Sequence, residues 1–372
     1  MEVFKETLKK DEQVSSKLRS VYEQFGYKKY KMGGFEEYSL YLENRDFLPS
    51  DQIIAFPNAQ GKMMALKPDV TLSIIKNTKA RRGQTDKLYY MENVFRHSKD
   101  SHEYQEISQM GLELIGDVGT YETWEILELA LESLAAIESE FILDISHMGF
   151  VTGLLDNMSI DRSVREELLA CIRSRNLHDL RAICKREEIS RENCEKLEAM
   201  LMTDGDAYQM LKKAEELVEN ESMSSALEEL KKLMEIASIH PFSNHIHIDF
   251  SIVNQIDYYN GIVFQGFTKH LPQNVLFGGR YDHLLEKFEK DAGGIGFALY
   301  LNDLNRVYPV KQEYDVDILL LYDEAADFKT LSKTVCEMVN AGYRVRTERS
   351  IPEDCRFQKL VNYREESEAE HA

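Results

Sequence analysis

Two strand-like runs, Lys87–Arg96 and Glu106–Ile115, stand close together in the chain with a charged polar loop between them. Their composition and spacing predict one long hairpin, which puts an antiparallel sheet at the centre of any fold the chain adopts. In the second strand Gln109, Gly111 and Glu113 share a face, because strand side chains repeat every two residues. Ile107 and Ile115 continue that face. A glutamine and a glutamate therefore point the same way between apolar flanks, and the glycine between them leaves room for something small. The competing reading is a solvated sheet face.

Other elements gather around this hairpin. Helical spacing is expected over residues 2–26, with Gly26 as a stop. Ile53–Phe56 and Lys62–Leu66 flank a turn at Asn58–Gly61 and predict a shorter hairpin, ended by Pro68. A short helix over 69–79 follows, with Asp69 as its cap. A helix is expected over 120–138 and a strand at Phe141–Ile145. Residues 152–237 then carry almost no aromatic residues and no proline, with Leu, Glu, Lys and Arg at helical spacing, so they read as a helical insertion. Strands return at 246–253 and 257–267, and Leu276–Gly279 leads into a helix at 280–289. Beyond Pro309 the order is strand (316–321), helix (324–341), strand (343–347), a β-α-β unit with parallel pairing. The expected organisation is a core over 1–310, interrupted by the insertion at about 152–240, and a short α/β unit over 311–372 whose acidic last eight residues fray.

Charge narrows the function. Asp and Glu number 65 against 45 Lys and Arg, a net −20, which opposes general coating of a phosphate backbone. No run approaches the roughly 20 apolar residues of a membrane span. The five cysteines show no C-x-x-C spacing, which fits reduced thiols in a cytoplasmic protein better than a zinc site or a disulfide framework. No metal or other cofactor is expected.

Four polar clusters stand out. They are Lys67-Pro68-Asp69-Val70-Thr71, Phe95-Arg96-His97 with Gln109 to Glu113, Ile256-Asp257-Tyr258-Tyr259-Asn260-Gly261, and Gly278-Gly279-Arg280-Tyr281-Asp282. Carboxylates beside tyrosines suit a small cationic ligand, and an imidazole is one such group. Arg96 is placed to pair with a phosphate or carboxylate, or else to make a structural salt bridge with Glu92. The glycines at 278 and 279 are better explained by close backbone approach than by phosphate binding.

In their order these clusters resemble the histidyl-tRNA synthetase core, a class II synthetase fold, over residues 1 to about 310. The second cluster is similar to class II motif 2 in its histidine-specific form. Lys67–Thr71 resembles the Arg-Pro-Glu-Gly-Thr loop, and Ile256–Asn260 the Leu-Asp-Tyr-Tyr signature. The resemblance implies an α+β fold, an antiparallel sheet flanked by helices. It also implies a histidine pocket. Asp69 and Gln109, with Thr71 nearby, would hold the α-amino group. Glu113 and Tyr259 would hold the imidazole, with Tyr258 as a wall.

The departures matter as much. Asn254 stands where active synthetases carry an arginine for the substrate carboxylate, which leaves Arg96 as the remaining candidate for that role. Glu103 and Asp303 stand where arginines contact ATP, a reversal of about four charge units around a polyphosphate. Gly33 replaces the motif 1 proline, although Glu36 remains. The C-terminal unit resembles only the first part of an anticodon-binding domain. This combination resembles the regulatory subunits of ATP phosphoribosyltransferase, synthetase paralogues without the synthetase chemistry. It implies a partner, the short-form catalytic subunit. It also implies a homodimer inside a hetero-oligomer, L-histidine as effector, and no aminoacylation. The alternatives are an active histidine–tRNA ligase, a tRNA-sensing module and a synthetase-like amino-acid ligase. The lost arginines argue against the first and third, and the acidic charge and short C-terminus against the second.

Overall fold

The computed structural model describes residues 8–45, 47–48, 50–79, 81, 83–97, 103–253, 259–309 and 313–363. The chain forms two compact units, residues 14–307 and residues 1–13 with 308–372. In chain order the elements are α1 (Lys10–Gln24), β1 (Lys28–Lys29), β2 (Phe35–Glu37), α2 (Tyr38–Leu42), β3 (Ala55–Pro57), β4 (Met63–Leu66), α3 (Thr71–Asn77), β5 (Asp86–His97), β6 (Tyr104–Gly116), α4 (Thr120–Ile137) and β7 (Phe141–His147). The insertion contributes α5 (Met148–Asp156), α6 (Arg162–Arg173), α7 (Leu177–Arg186), α8 (Arg191–Leu201), β8 (Asp204–Asp206), α9 (Ala207–Glu215) and α10 (Glu221–Ala237). Then come β9 (Ile246–Asp249), β10 (Ile262–Thr268), β11 (Leu276–Arg280), α11 (Asp282–Lys287), β12 (Gly293–Tyr300), α12 (Leu304–Val307), β13 (Val316–Leu321), α13 (Phe328–Asn340), β14 (Val345–Glu348) and β15 (Phe357–Asn362).

The larger unit is built on a nine-stranded sheet in the order β1-β5-β6-β12-β11-β10-β7-β9-β8. Its centre is antiparallel, and the β5–β6 hairpin is its longest pair, in register from Asp86↔Ile115 to His97↔Tyr104. This is the α+β sheet-and-helix architecture that the resemblance implied, and the expected hairpin is part of it. The shorter hairpin also forms, as β3 paired with β4, and β2 joins it to make a separate three-stranded sheet.

Helix α4 packs on one face of the large sheet. The side chain of its Leu134 fills the space over Gly266, so a Cβ there would lie 2.7 Å from the Leu134 methyls. Three polar contacts fix it. The Tyr22 and Ser133 hydroxyls hydrogen-bond at 2.7 Å, Tyr27 donates to Glu125 at 2.9 Å, and Lys87 pairs with Glu125 at 2.7 Å. The other side of the sheet shares a buried cluster with the three-stranded sheet, α3 and α11, including Ile74, Tyr90, Val263, Tyr281 and Leu285.

Three readings need correction. The insertion is not wholly helical: β8 pairs antiparallel with β9 and extends the large sheet by one edge strand. The strand expected at 257–267 begins at Ile262. Before it, Asn260 is held in a loop by the Arg280 carbonyl and by Asp282, contacts that strand geometry would break. The helix expected from residue 324 begins at Phe328, because Asp327 caps it by accepting from Lys329 and Thr330. In the smaller unit β13 lies between β14 and β15, parallel to both, over a core of Ile318, Leu320, Leu331, Val361 and Tyr363.

Gly278 lies at a tight crossing of the large sheet. A Cβ there would lie 2.5 Å from Phe297 Cβ and 2.7 Å from Phe264 Cζ, besides colliding with the Gly296 carbonyl. Gly278→Ala is expected to cost about 2 kcal/mol or more, since backbone and buried rings cannot yield. Urea denaturation checks it, and an unchanged midpoint would contradict this packing.

Candidate functional site

The site grows from the pairing of three strands. β6 lies between β5 and β12, so Gln109 faces Glu92 and Tyr300, Gly111 faces Tyr90 and Ala298, and Glu113 faces Leu88 and Gly296. Gln109 and Glu113 are both buried. Glycines make the floor passable. A Cβ on Gly296 would collide with the Glu113 carboxylate, and one on Gly279 would lie 2.6 Å from the Tyr259 ring. The space above Gly111, read from sequence as room for a ligand, is taken by the Tyr90 ring, which a Cβ would strike.

These strands floor a cavity of about 490 Å³. It is lined by Asp69, Thr71, Arg96, Gln109, Glu113 and Tyr259, six side chains predicted from sequence. Tyr258 and Asn254, also singled out there, lie outside the described residues. The cavity brings in residues that sequence reasoning missed: Tyr281, Tyr90 and Tyr300, the aromatic wall Phe277, and Arg173 from the insertion. Tyr281 had a signal, because it belongs to the fourth polar cluster. Arg173 had none, since an arginine ending a helix reads as solvated.

Glu113 is the centre of the site. Its Oε1 accepts from Thr71 Oγ1 at 2.7 Å, and its Oε2 accepts from the Tyr281 hydroxyl. Burial pushes its carboxyl up to about 8, and the charge of Asp69 adds to this against the lowering effect of the two hydroxyl donors. Asp69 is also buried. Its carboxyl is raised by desolvation, against the Leu72 N–H, which donates to it at 2.7 Å, and the nearby Arg96. The N-cap residue of α3 is Val70, so Asp69 stands one residue ahead of the position expected for it and still holds the first turn, which carries Thr71 to Glu113.

Arg96 does not pair with Glu92. Its Nε donates to the Pro68 carbonyl at 2.8 Å, while Glu92 takes the buried Lys67 ammonium. Tyr259 is nearly buried, and its ring meets Phe277 edge-on at 5.5 Å. The cavity thus offers two carboxyl groups, the amides of Gln52 and Gln109, two guanidinium groups and flat aromatic walls, a set suited to a small zwitterion with a cationic ring.

A second cavity, of about 730 Å³, shares Arg96, Phe277 and Tyr300 with the first. Its lining carries Glu106 and Asp303, and Arg96 is the one cationic side chain among its described lining residues. Asp303 pairs with Arg306 at 2.9 Å. Asn302, in the turn after β12, is tied to β6, accepting from the Ser108 N–H and donating to the Glu106 carbonyl. Glu103 is exposed just ahead of β6 and does not line this cavity. Among the described residues no group of three His, Cys, Asp or Glu is arranged to hold a metal ion, and no helix is long and apolar enough to cross a membrane.

The family model for histidyl-tRNA synthetase matches residues 1–304. The chain is 30% identical over 292 residues to an ATP phosphoribosyltransferase regulatory subunit of Caldanaerobacter subterraneus subsp. tengcongensis, covering 77% of this chain and 75% of that one. It is also 30% identical over 302 residues to a histidine–tRNA ligase of Methanococcus maripaludis, covering 79% and 71%. A solved structure described as an ATP phosphoribosyltransferase regulatory subunit/histidyl-tRNA synthetase from Bacillus halodurans C has a TM-score of 0.84 at 23% identity, over 95% of this chain and 93% of that one. A regulatory subunit of Oceanobacillus iheyensis is 27% identical over 304 residues, covering 81% of this chain and 75% of that one, so the curated relatives favour a regulatory subunit over a ligase.

The buried carboxyl gives a stability prediction. An unfolded glutamate titrates near 4.5, whereas folded Glu113 titrates at about 8. Between those values the folded chain holds the extra proton, so stability falls as pH rises through that window and levels off above it. Urea midpoints for wild type and Glu113→Gln at pH 5, 6, 7 and 8 are expected to show wild type losing ground to the variant across the series. A difference independent of pH would contradict the buried, protonated carboxyl.

Proposed function

The chain belongs to the histidyl-tRNA synthetase family, and we propose that within it this protein is the non-catalytic regulatory subunit of ATP phosphoribosyltransferase, acting in the first step of histidine biosynthesis. The observation that carries this reading is the contrast between the two cavities. The first gathers Asp69, Gln109, Glu113 and Tyr259, groups suited to the amino group and imidazole ring of such an amino acid as histidine. Among its described lining residues the second offers a polyphosphate one arginine against two carboxylates. Adenylation is phosphate chemistry, stabilised by positioned cations, and a site with that charge balance disfavours it.

In this reading L-histidine is the effector. Its α-amino group meets Asp69 and Gln109, and its ring meets Glu113, with Tyr259 and Phe277 as walls. A cationic ring supplies the countercharge that burial denies Glu113, so ligand and carboxyl stabilise each other's charged forms. Thr71 and Tyr281 fix the carboxyl and are positioning residues. Regulation then requires that histidine bind two states of the complex unequally. The catalytic partner is the short-form ATP phosphoribosyltransferase. Pairing of this chain with itself inside a hetero-oligomer follows the habit of class II cores, and a cytoplasmic location follows the pathway.

Reconstitution tests the proposal. The chain is mixed with a short-form ATP phosphoribosyltransferase from the same source, and phosphoribosyl-ATP formation is followed with and without L-histidine. Activity is expected to require both chains and to fall with histidine. No effect on the partner, or histidine-dependent ATP–pyrophosphate exchange by this chain alone, would overturn the reading. Asp69→Asn is expected to raise the inhibitory histidine concentration about tenfold, the loss of one charge-assisted contact. Unchanged inhibition would remove Asp69 from the site.

A further inference from the structure

A free amino acid brings a carboxylate as well as two cationic groups, and the cavity must answer it. Two guanidinium groups line the cavity, Arg96 and Arg173. Arg96 stands close to Asp69, where its charge offsets that carboxylate, and its Nε is held by the Pro68 carbonyl. Arg173 is differently placed. It is the last residue of α6, in the insertion, and is exposed at the cavity mouth. Among the described residues its one hydrogen bond runs from Nη2 to the Val253 carbonyl at 3.3 Å, and no carboxylate pairs with it. A guanidinium has five N–H donors, so most of its capacity is unused.

The end of α6 is fixed in place by its neighbour. Arg175 adopts φ +50°, which terminates the helix. Its side chain donates to Ser251 at 3.2 Å and pairs with Asp204 and with Asp249, the latter at 2.7 Å. Asp204 and Asp249 lie on β8 and β9, so the helix end is tied to the edge of the large sheet. That tether holds a guanidinium, with no carboxylate partner among the described residues, in the lining of a cavity whose acids already suit the cationic groups of a zwitterion.

We propose that Arg173 anchors the carboxylate of the amino-acid ligand, so that the insertion contributes directly to the site. The inference rests on reading this cavity as a histidine site. A guanidinium grips a carboxylate through two parallel N–H donors, a geometry that lysine cannot reproduce. Ligand binding then links the insertion to the β5–β6 hairpin through one small molecule, a contact present only in the occupied state.

Titration calorimetry of the full chain with L-histidine and with histamine, which lacks the carboxylate, tests the assignment. Arg173→Ala is expected to weaken L-histidine about tenfold or more and to leave histamine affinity unchanged, with Arg173→Lys intermediate for L-histidine. Equal weakening of both ligands would make Arg173 structural and overturn the inference. Unchanged L-histidine affinity in Arg173→Ala, with wild type binding normally, would overturn this assignment alone. No L-histidine binding by wild type would overturn it together with the histidine reading.

Discussion

A carboxyl group taken out of water and held by two hydroxyl donors is the constraint on which the rest of the site depends. Glu113 is buried between β5 and β12, with Thr71 on one oxygen and Tyr281 on the other. Its position requires Gly296 on the neighbouring strand, because any side chain there would occupy the carboxylate's space. It requires α3 to begin where Asp69 holds its first turn, since that places Thr71. It also requires the β11–α11 turn to deliver Tyr281, which Asp282 stabilises by accepting from the Gly294 N–H at 2.9 Å. Four segments distant in sequence converge on one ionisable group. A fold gains little stability from desolvating a carboxyl, so the arrangement is explained by what the carboxyl does for a ligand.

The two adjoining cavities share Arg96, Phe277 and Tyr300 but differ in their polar chemistry. One is suited to a zwitterion, and the described lining of the other holds one cation against two carboxylates. In the proposed reading, that pairing separates recognition from chemistry. A protein so altered can report the concentration of a small molecule without consuming it. Curated relatives named as the regulatory subunit favour the same reading, and the two cavities supply a physical reason for it.

Much of this was legible in the sequence because strands encode their faces locally. The period of two put Gln109 and Glu113 together, and the β5–β6 pairing then followed from two long runs and a loop. The hold of Asp69 on the first turn of α3 and the close approach at Gly278 were also local signals. Contacts across the fold were not legible. Tyr281 meets Glu113 across 168 residues, and no spacing rule predicts that meeting. Tyr90 fills the space over Gly111 because strand pairing sets it there, so the glycine serves packing and not the ligand. β8 has the sequence Asp204-Gly205-Asp206, which has no strand propensity. Its pairing with β9 and the Arg175 ion pairs make it a strand. Arg173 was invisible for the same reason, since only the tertiary path of α6 brings it to the cavity.

In the proposed reading, histidine sits in the cavity around Glu113 with its ring against that carboxyl. A crystal structure of the chain grown with saturating L-histidine tests this. Electron density is expected for one histidine in this cavity, its imidazole within hydrogen-bonding distance of Glu113 and its α-amino group at Asp69. Histidine bound at another place, or this cavity left empty at saturation, would contradict it.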